Sequence, residues 1–199
     1  MSFTRTLFKL CREEGVTIIF KHIINEKLEL RLLEARHAEA VYEVIEMNRG
    51  YLSEWFPWVP NTKNAEHTKT FIENELRRFA HNNGVSTGIF YENKYIGNIS
   101  IHEINWNSKL SSIGYWISSE YQGLGIVTTC CRELLNYAFE TLGLNKIEIR
   151  ARTDNVRSSA IPIRLGFKQE GILRQVDYNN DRYYDHVVYG LLKDEWRGK

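Results

Sequence analysis

Between Ser111 and Val127 the chain reads Ser-Ser-Ile-Gly-Tyr-Trp-Ile-Ser-Ser-Glu-Tyr-Gln-Gly-Leu-Gly-Ile-Val. A strand signal ends at Ile117-Ser118-Ser119-Glu120, and a glycine-bearing turn opens directly into a helical repeat. Gly123 and Gly125 let the backbone take positive φ and aim successive N–H groups at one point. The helix start adds partial positive charge there, so a phosphate or pyrophosphate fits. A tight strand-to-helix turn with no ligand is the other reading. Two phosphate motifs are missing: there is no G-x-x-x-x-G-K-[ST], and Gly123-Leu124-Gly125 continues as Ile126-Val127-Thr128, which breaks G-x-G-x-x-G.

A second group of residues stands in Tyr51 to Pro60, where Glu54, Trp55, Phe56 and Trp58 cluster around Pro57 and Pro60. This stretch reads as a loop, and aromatics on a proline-bearing loop mark recognition. Packing against the core is the alternative for Trp58. Cys130 and Cys131 fall in the helical repeat after the glycine turn. With no adjacent histidine or acid pattern, they are not expected to serve as nucleophiles.

The elements that must position these residues follow from periodicity. Leu28 to Leu32 alternates as a strand, and Ala35 to Met47 and Thr68 to Ala80 have helical spacing. Val85 to Tyr91, Tyr95 to Ile104 and Leu110 to Ile117 read as strands joined by short turns. A helix follows through Val127, Leu134, Ala138 and Leu142, ended by Gly143. Lys146 to Thr153 is a strand with Ile147, Ile149 and Ala151 on one face. Ser158 to Leu165 is a short helix. Two last strands, about Leu173 to Tyr178 and Tyr183 to Leu191, meet at Asn179-Asn180-Asp181, a hairpin signal. The strand–helix–strand unit over 110–153 requires a parallel crossover inside a mixed sheet. One α+β domain is expected over 21–199.

Residues 1–20 stand apart. They read either as a short extension packed on the domain or as a translated purine-rich ribosome-binding site at Arg12-Glu13-Glu14-Gly15, which would make 1–20 non-native. The second reading predicts a native start near Val16 to Phe20, checked by intact mass.

Gln122-Gly123-Leu124-Gly125-Ile126-Val127 resembles the Q/R-x-x-G-x-G/A loop of the GNAT N-acetyltransferases. The wider chain is similar to the ribosomal-protein N-acetyltransferase (Rim) branch. The likeness rests on Tyr51-Leu52-Ser53-Glu54-Trp55 with Trp58, Ile113-Gly114-Tyr115-Trp116-Ile117, Asn155 with Ser158, Leu165-Gly166-Phe167 with Glu170-Gly171, and Tyr189-Gly190-Leu191-Leu192. It spans about residues 25 to 196. Two departures stand out. Val127 replaces a usual small residue, and Ser112 stands where relatives often carry an acid, so no base is expected at 112.

The resemblance implies a mixed, largely antiparallel sheet flanked by helices, with Ile113 to Ile117 splayed from Lys146 to Thr153. It implies acetyl-CoA as cosubstrate, with its pyrophosphate on Gln122, Gly123, Leu124, Gly125, Ile126 and Val127. Pantetheine would lie in the splay, against backbone N–H groups of Trp116, Ile117 and Ser118. Asn155 would contact the coenzyme arm, and Ser158 would act as general acid near the sulfur. Asp177 occupies the position of the proposed base, with Asp185 and His186 as weaker candidates. Glu54, Trp55, Trp58 and Tyr115 would wall the acceptor. Transfer would be direct, without an acyl-enzyme. A homodimer is expected from the family alone.

The expected acceptor is a protein N-terminal α-amine, as in the ribosomal branch. Its ordinary pKa, ~7.7–8.0 against ~10.4 for lysine, lowers the work of deprotonation. A small amine (a polyamine or aminoglycoside) is the enzyme alternative, and it would need a strongly acidic cleft. A module that binds coenzyme A or a partner without turnover is the rival of another class.

Composition narrows the rest. The chain has 199 residues, with 26 Lys+Arg against 25 Asp+Glu, so a nucleic-acid binder held by phosphate contacts is not expected. No apolar run nears the ~18 residues of a membrane span. The three cysteines, Cys11, Cys130 and Cys131, are odd in number and two are adjacent, which fits a reducing cytosol. Six scattered histidines and no C-x-x-C or H-E-x-x-H give no reason to expect a metal.

Overall fold

The computed structural model describes residues 11–13, 16–18 and 20–198. Most of the expected 1–20 extension lies outside them. Its described parts, β1 (Cys11–Glu13) and β2 (Val16–Ile18), pair antiparallel as a separate ribbon.

Eight further strands form one sheet: β3 (Lys21–Ile23), β4 (Leu28–Leu32), β5 (Val85–Tyr91), β6 (Lys94–Ile101), β7 (Leu110–Ile117), β8 (Lys146–Arg152), β9 (Lys168–Asn179) and β10 (Arg182–Leu192). Their order is β3-β4-β5-β6-β7-β8-β10-β9. Every neighbouring pair is antiparallel except β7 with β8. The β9–β10 turn puts Asn180 and Asp181 at φ 49° and 57°, as the two central residues of a tight hairpin require.

Five α-helices cover the two faces: α1 (Ala38–Met47), α2 (Arg49–Trp55), α3 (Ala65–Ala80), α4 (Ile126–Asn136) and α5 (Val156–Arg164). Ala38, Val41 and Ile45 of α1, Leu52 of α2 and Ile72 of α3 bury one core against Phe90 and Tyr95. On the opposite face, Ile126, Val127, Cys130, Cys131, Leu134 and Leu135 of α4 pack on Ile99, Ile113, Ile117, Ile147 and Ile149. The sheet therefore supplies two apolar surfaces, each closed by its own helices. Among the described residues no helix is long and apolar enough to cross a membrane.

Two expectations need correction. Tyr51 to Pro60 is not loop throughout, because Arg49–Trp55 is helical. Its anchor is Leu52, fully buried, and the helix stops before Pro57, whose ring disfavours helix in the residue ahead of it. The helix after the glycine turn is α-helical only to Asn136, and Tyr137–Thr141 winds as a π-helix before Gly143.

Candidate active site

The parallel seam between β7 and β8 is short. Leu110, Ser111 and Ser112 pair with Lys146, Ile147 and Glu148, and the register ends there. Beyond it, Ile113 to Ile117 stay paired with β6, while Ile149 to Arg152 pair with β10. The two strands thus diverge from Ile113 onward, as the resemblance implied.

Into this divergence opens a cavity of about 1070 Å³. One part of its lining is Gln122, Gly123, Gly125, Ile126, Val127 and Thr128; another is Tyr51, Glu54, Trp55 and Phe56. Tyr115, Trp116, Ile117, Asn155 and Ser158 also line it. Alternation decides which amides of β7 face the opening. His102 N–H donates to Ser112 O at 2.8 Å, and Ser118 N–H to Ile96 O at 2.7 Å, so even-numbered residues spend their backbone groups on β6. Tyr115 and Ile117 therefore turn theirs toward the gap.

This corrects the expectation for Ser118. Its N–H is committed to Ile96, its hydroxyl meets the Asn48 side chain, and it lies buried outside the cavity lining. Trp116 lines the cavity, but its amide falls on the β6 side. Ile117 remains, joined by Tyr115.

Gly123 and Gly125 have φ of 76° and 75°, and Gly125 is the N-cap of α4. Added Cβ atoms would meet nothing within 4 Å, so the glycines serve the positive φ and an open approach to the loop backbone. Leu124 is 62% exposed and stands outside the lining. Across the cavity, Arg157 donates to Gln122 Oε1 at 2.8 Å and Arg164 to Thr128 Oγ1 at 3.0 Å. Both arginines line the cavity, two helical turns apart on α5. Sequence reasoning missed them and Tyr51. A seven-residue spacing on the helix after the Asn155 cap was the available signal for the pair.

Asn155 caps α5, accepting from Ser158 N–H at 3.0 Å, which places Ser158 in the first turn. The Tyr115 hydroxyl donates to Ser158 O at 3.1 Å and lies 3.3 Å from Ser158 Oγ. Burial pushes the Tyr115 pKa well above the ordinary phenol value, so it stays protonated. Tyr115, on β7, is accordingly tied to Ser158 of α5.

In that cluster Glu54 and Trp55 line the cavity, and Trp58 does not. Trp58 packs on Phe56 and on Trp116, with ring centroids 5.7 and 6.3 Å away. Asp177 also lies outside the lining, its side chain 15% exposed and its Oδ2 3.4 Å from His186 Nε2. Asp185 Oδ1 accepts from Gln175 N–H at 2.8 Å. Ser112 is engaged with His102 Nδ1 at 3.1 Å. Of the carboxylates on the lining, Asp154 is gripped by Arg152 through two hydrogen bonds of 3.0 and 2.6 Å, leaving Glu54 as the other.

Burial raises the Cys130 thiol to about 12 and pushes Cys131 well above its ordinary value, so neither offers a thiolate near neutral pH. Among the described residues no group of three or more His, Cys, Asp or Glu side chains is placed to hold a metal ion.

Comparison with known proteins agrees with this geometry. The acetyltransferase (GNAT) domain family matches residues 27–168. The chain is 40% identical over 177 residues to the "Putative ribosomal N-acetyltransferase YdaF" of Bacillus subtilis (strain 168), covering 88% of this chain and 97% of the relative. It is 29% identical over 171 residues to the ribosomal-protein-serine acetyltransferase of Escherichia coli (strain K12), covering 86% and 96%. Among solved structures, RimL, a ribosomal L7/L12 α-N-protein acetyltransferase in complex with coenzyme A, superimposes with a TM-score of 0.82 at 26% identity, covering 87% of this chain and 98% of that one. The diverging β7–β8 pair, the positive-φ glycine loop and a family match over most of the chain lead to one conclusion: this protein belongs to the GNAT family, is an acetyltransferase, and closely resembles the Rim-like branch.

Proposed function

We propose that this enzyme transfers an acetyl group from acetyl-CoA to the N-terminal α-amine of a protein, of the ribosomal-protein class its relatives are named for. One observation carries the reading. A single cavity is lined both by the glycine loop and by Glu54, Trp55 and Phe56, with Tyr115 and Ser158 also on its wall.

The residues fit acetyl-CoA. The backbone around Gly123 and Gly125 is open to a diphosphate, with the start of α4 behind it. Arg157 and Arg164 add two fixed positive charges on the facing wall. The coenzyme, when bound, supplies an activated acetyl group and a thiol leaving group. Asn155 stands beside the path of the arm, and the Ile117 and Tyr115 amides face the gap where a carbonyl oxygen gains charge. Ser158 Oγ–H gives its proton to the departing sulfur and regains one from water, while Tyr115, its own proton donated to the Ser158 carbonyl, holds Ser158 in place. Asp177 collects the ammonium proton through water, because its carboxylate does not reach the cavity wall. With both α4 thiols buried and protonated, transfer is direct.

Charge on the lining favours a monoamine over a polyamine. Glu120 and Asp177 do not line the cavity, Asp154 is paired, and two arginines are present. A polycation would meet Glu54 and little else. The test incubates the purified chain and acetyl-CoA with unblocked peptides, N-terminally blocked peptides, spermidine and an aminoglycoside, following thiol release. We expect turnover confined to unblocked peptides. A higher kcat/KM on spermidine or the aminoglycoside overturns the acceptor, and coenzyme binding with no turnover on any amine supports the non-catalytic rival. On this reading the enzyme works in the reducing cytosol.

A further inference from the structure

The C-terminal end of α2 leaves carbonyl oxygens that no helical N–H can reach. Two side chains from distant strands take them. Arg152 of β8 donates from Nη1 to Glu54 O at 2.7 Å, and Asn179 of β9 donates from Nδ2 to Glu54 O at 3.1 Å and to Ser53 O at 2.9 Å. Arg152 is 6% exposed. Its guanidinium carbon lies 4.7 Å from the Trp55 ring centroid and 3.4 Å from that of Tyr184 on β10. The remaining edge is filled by the Asp154 carboxylate. A planar fork in contact with two rings and satisfied along its edges is a geometry that lysine cannot reproduce.

We propose that Arg152 is a positioning residue for the acceptor side. It fixes the end of α2, and with it Glu54 and Trp55, against β8 and the β9–β10 hairpin. The proposal rests on the reading that Glu54 and Trp55 face the acceptor. Arg152 itself is not on the cavity wall, whereas Glu54, Trp55 and Asp154 are. It acts through them. Leu52 and the Phe56 N–H to Leu52 O bond fix the helix itself, but the Ser53 and Glu54 carbonyls take their side-chain partners from residues about a hundred positions away. The guanidinium and Asn179 hold these carbonyls, from two strands on the far side of the β7–β8 gap.

The test uses the full chain as Arg152→Lys and Arg152→Met, with Asn179→Ala and the Arg152→Lys/Asn179→Ala double variant. Hydrogen exchange read by mass spectrometry should accelerate at least about tenfold at residues 53–56 in Arg152→Lys, with residues 122–127 unchanged. With an unblocked peptide, KM for the acceptor should rise about tenfold, while kcat and the Kd for coenzyme A stay within about twofold. The double variant should be non-additive, because both side chains hold Glu54 O. If Arg152→Met does not fold, Arg152→Lys and Asn179→Ala carry the test. Unchanged exchange at 53–56, acceleration spread equally over 122–127, or an acceptor KM that does not move overturns the proposal. Should the wild-type chain acetylate no peptide, the exchange measurement still decides Arg152, and the acceptor reading is the one that falls.

Discussion

The hydroxyl of Tyr115 donates to the carbonyl of Ser158 while lying 3.3 Å from the Ser158 hydroxyl, so one phenol touches both ends of one residue. Its single proton is committed to the carbonyl, and its lone pair can accept from Ser158 Oγ. Ser158→Ala should lower kcat by about 10²–10⁴-fold, the range for a lost general acid, with the Kd for coenzyme A nearly unchanged. Tyr115→Phe should have a smaller effect of the same kind. Steady-state kinetics beside calorimetry separate the two quantities, and an unchanged kcat in Ser158→Ala removes it from the mechanism.

Gly125→Ala asks the backbone at φ 75° to carry a side chain that has room but the wrong handedness. The strain is about 1–2 kcal/mol. In a domain of this size that lowers Tm by roughly 2–8 °C. Coenzyme affinity should fall as well, because relaxation of φ turns the loop amides away from their common point. Thermal melting with and without coenzyme A reads both effects.

Arg157→Met and Arg164→Met should each weaken coenzyme A by roughly tenfold, the scale of one charge-assisted hydrogen bond. Acetyl-pantetheine has no diphosphate. Its KM should not change in either variant, and an equal loss on both substrates would place the arginines elsewhere in the reaction.

Asp177→Asn should shift the acidic limb of the pH–rate profile if the carboxylate takes the ammonium proton through water. Its contact with His186 offers a purely architectural role as well. An acidic limb identical to wild type assigns Asp177 to that role.

Hydrogen bonds from Arg152 hold the Asp154 carboxyl below its ordinary value of 3.8. A depressed carboxylate contributes stability that is present above its unfolded pKa and lost as pH falls through the folded value. The Arg152–Asp154 contact should therefore persist at neutral pH and open only below about pH 4. Carbon NMR of the Asp154 carboxylate through an acid titration measures this, and a midpoint at or above the ordinary value refutes it.

The sequence made some of this visible and hid the rest. The loop from Gln122 to Val127 could be read because positive φ is a demand few residues other than glycine meet, and Asn180-Asp181 announced its turn for a related reason. The strand from Leu28 to Leu32 showed itself by alternation. The helix at Arg49–Trp55 did not, since one buried leucine and two nearby prolines leave no periodic face. Arg157 and Arg164 find their partners 35 and 36 residues away, a separation that no local pattern encodes. Strand alternation puts Arg152 on the face opposite Ile147, Ile149 and Ala151, with no sign that it is buried. The rings of Trp55 and Tyr184, with the Asp154 carboxylate and the Glu54 carbonyl, show why a charge at that position is buried.

The seam of three residue pairs between β7 and β8 has a consequence for cohesion. Strands β3 to β7 make one leaf and β8, β10 and β9 another, stitched at a single corner. On the proposed reading, a cosubstrate lying between the leaves would touch both and so be mortar as well as reagent. Each turnover that ends in its departure would then remove part of what binds the halves of the sheet together.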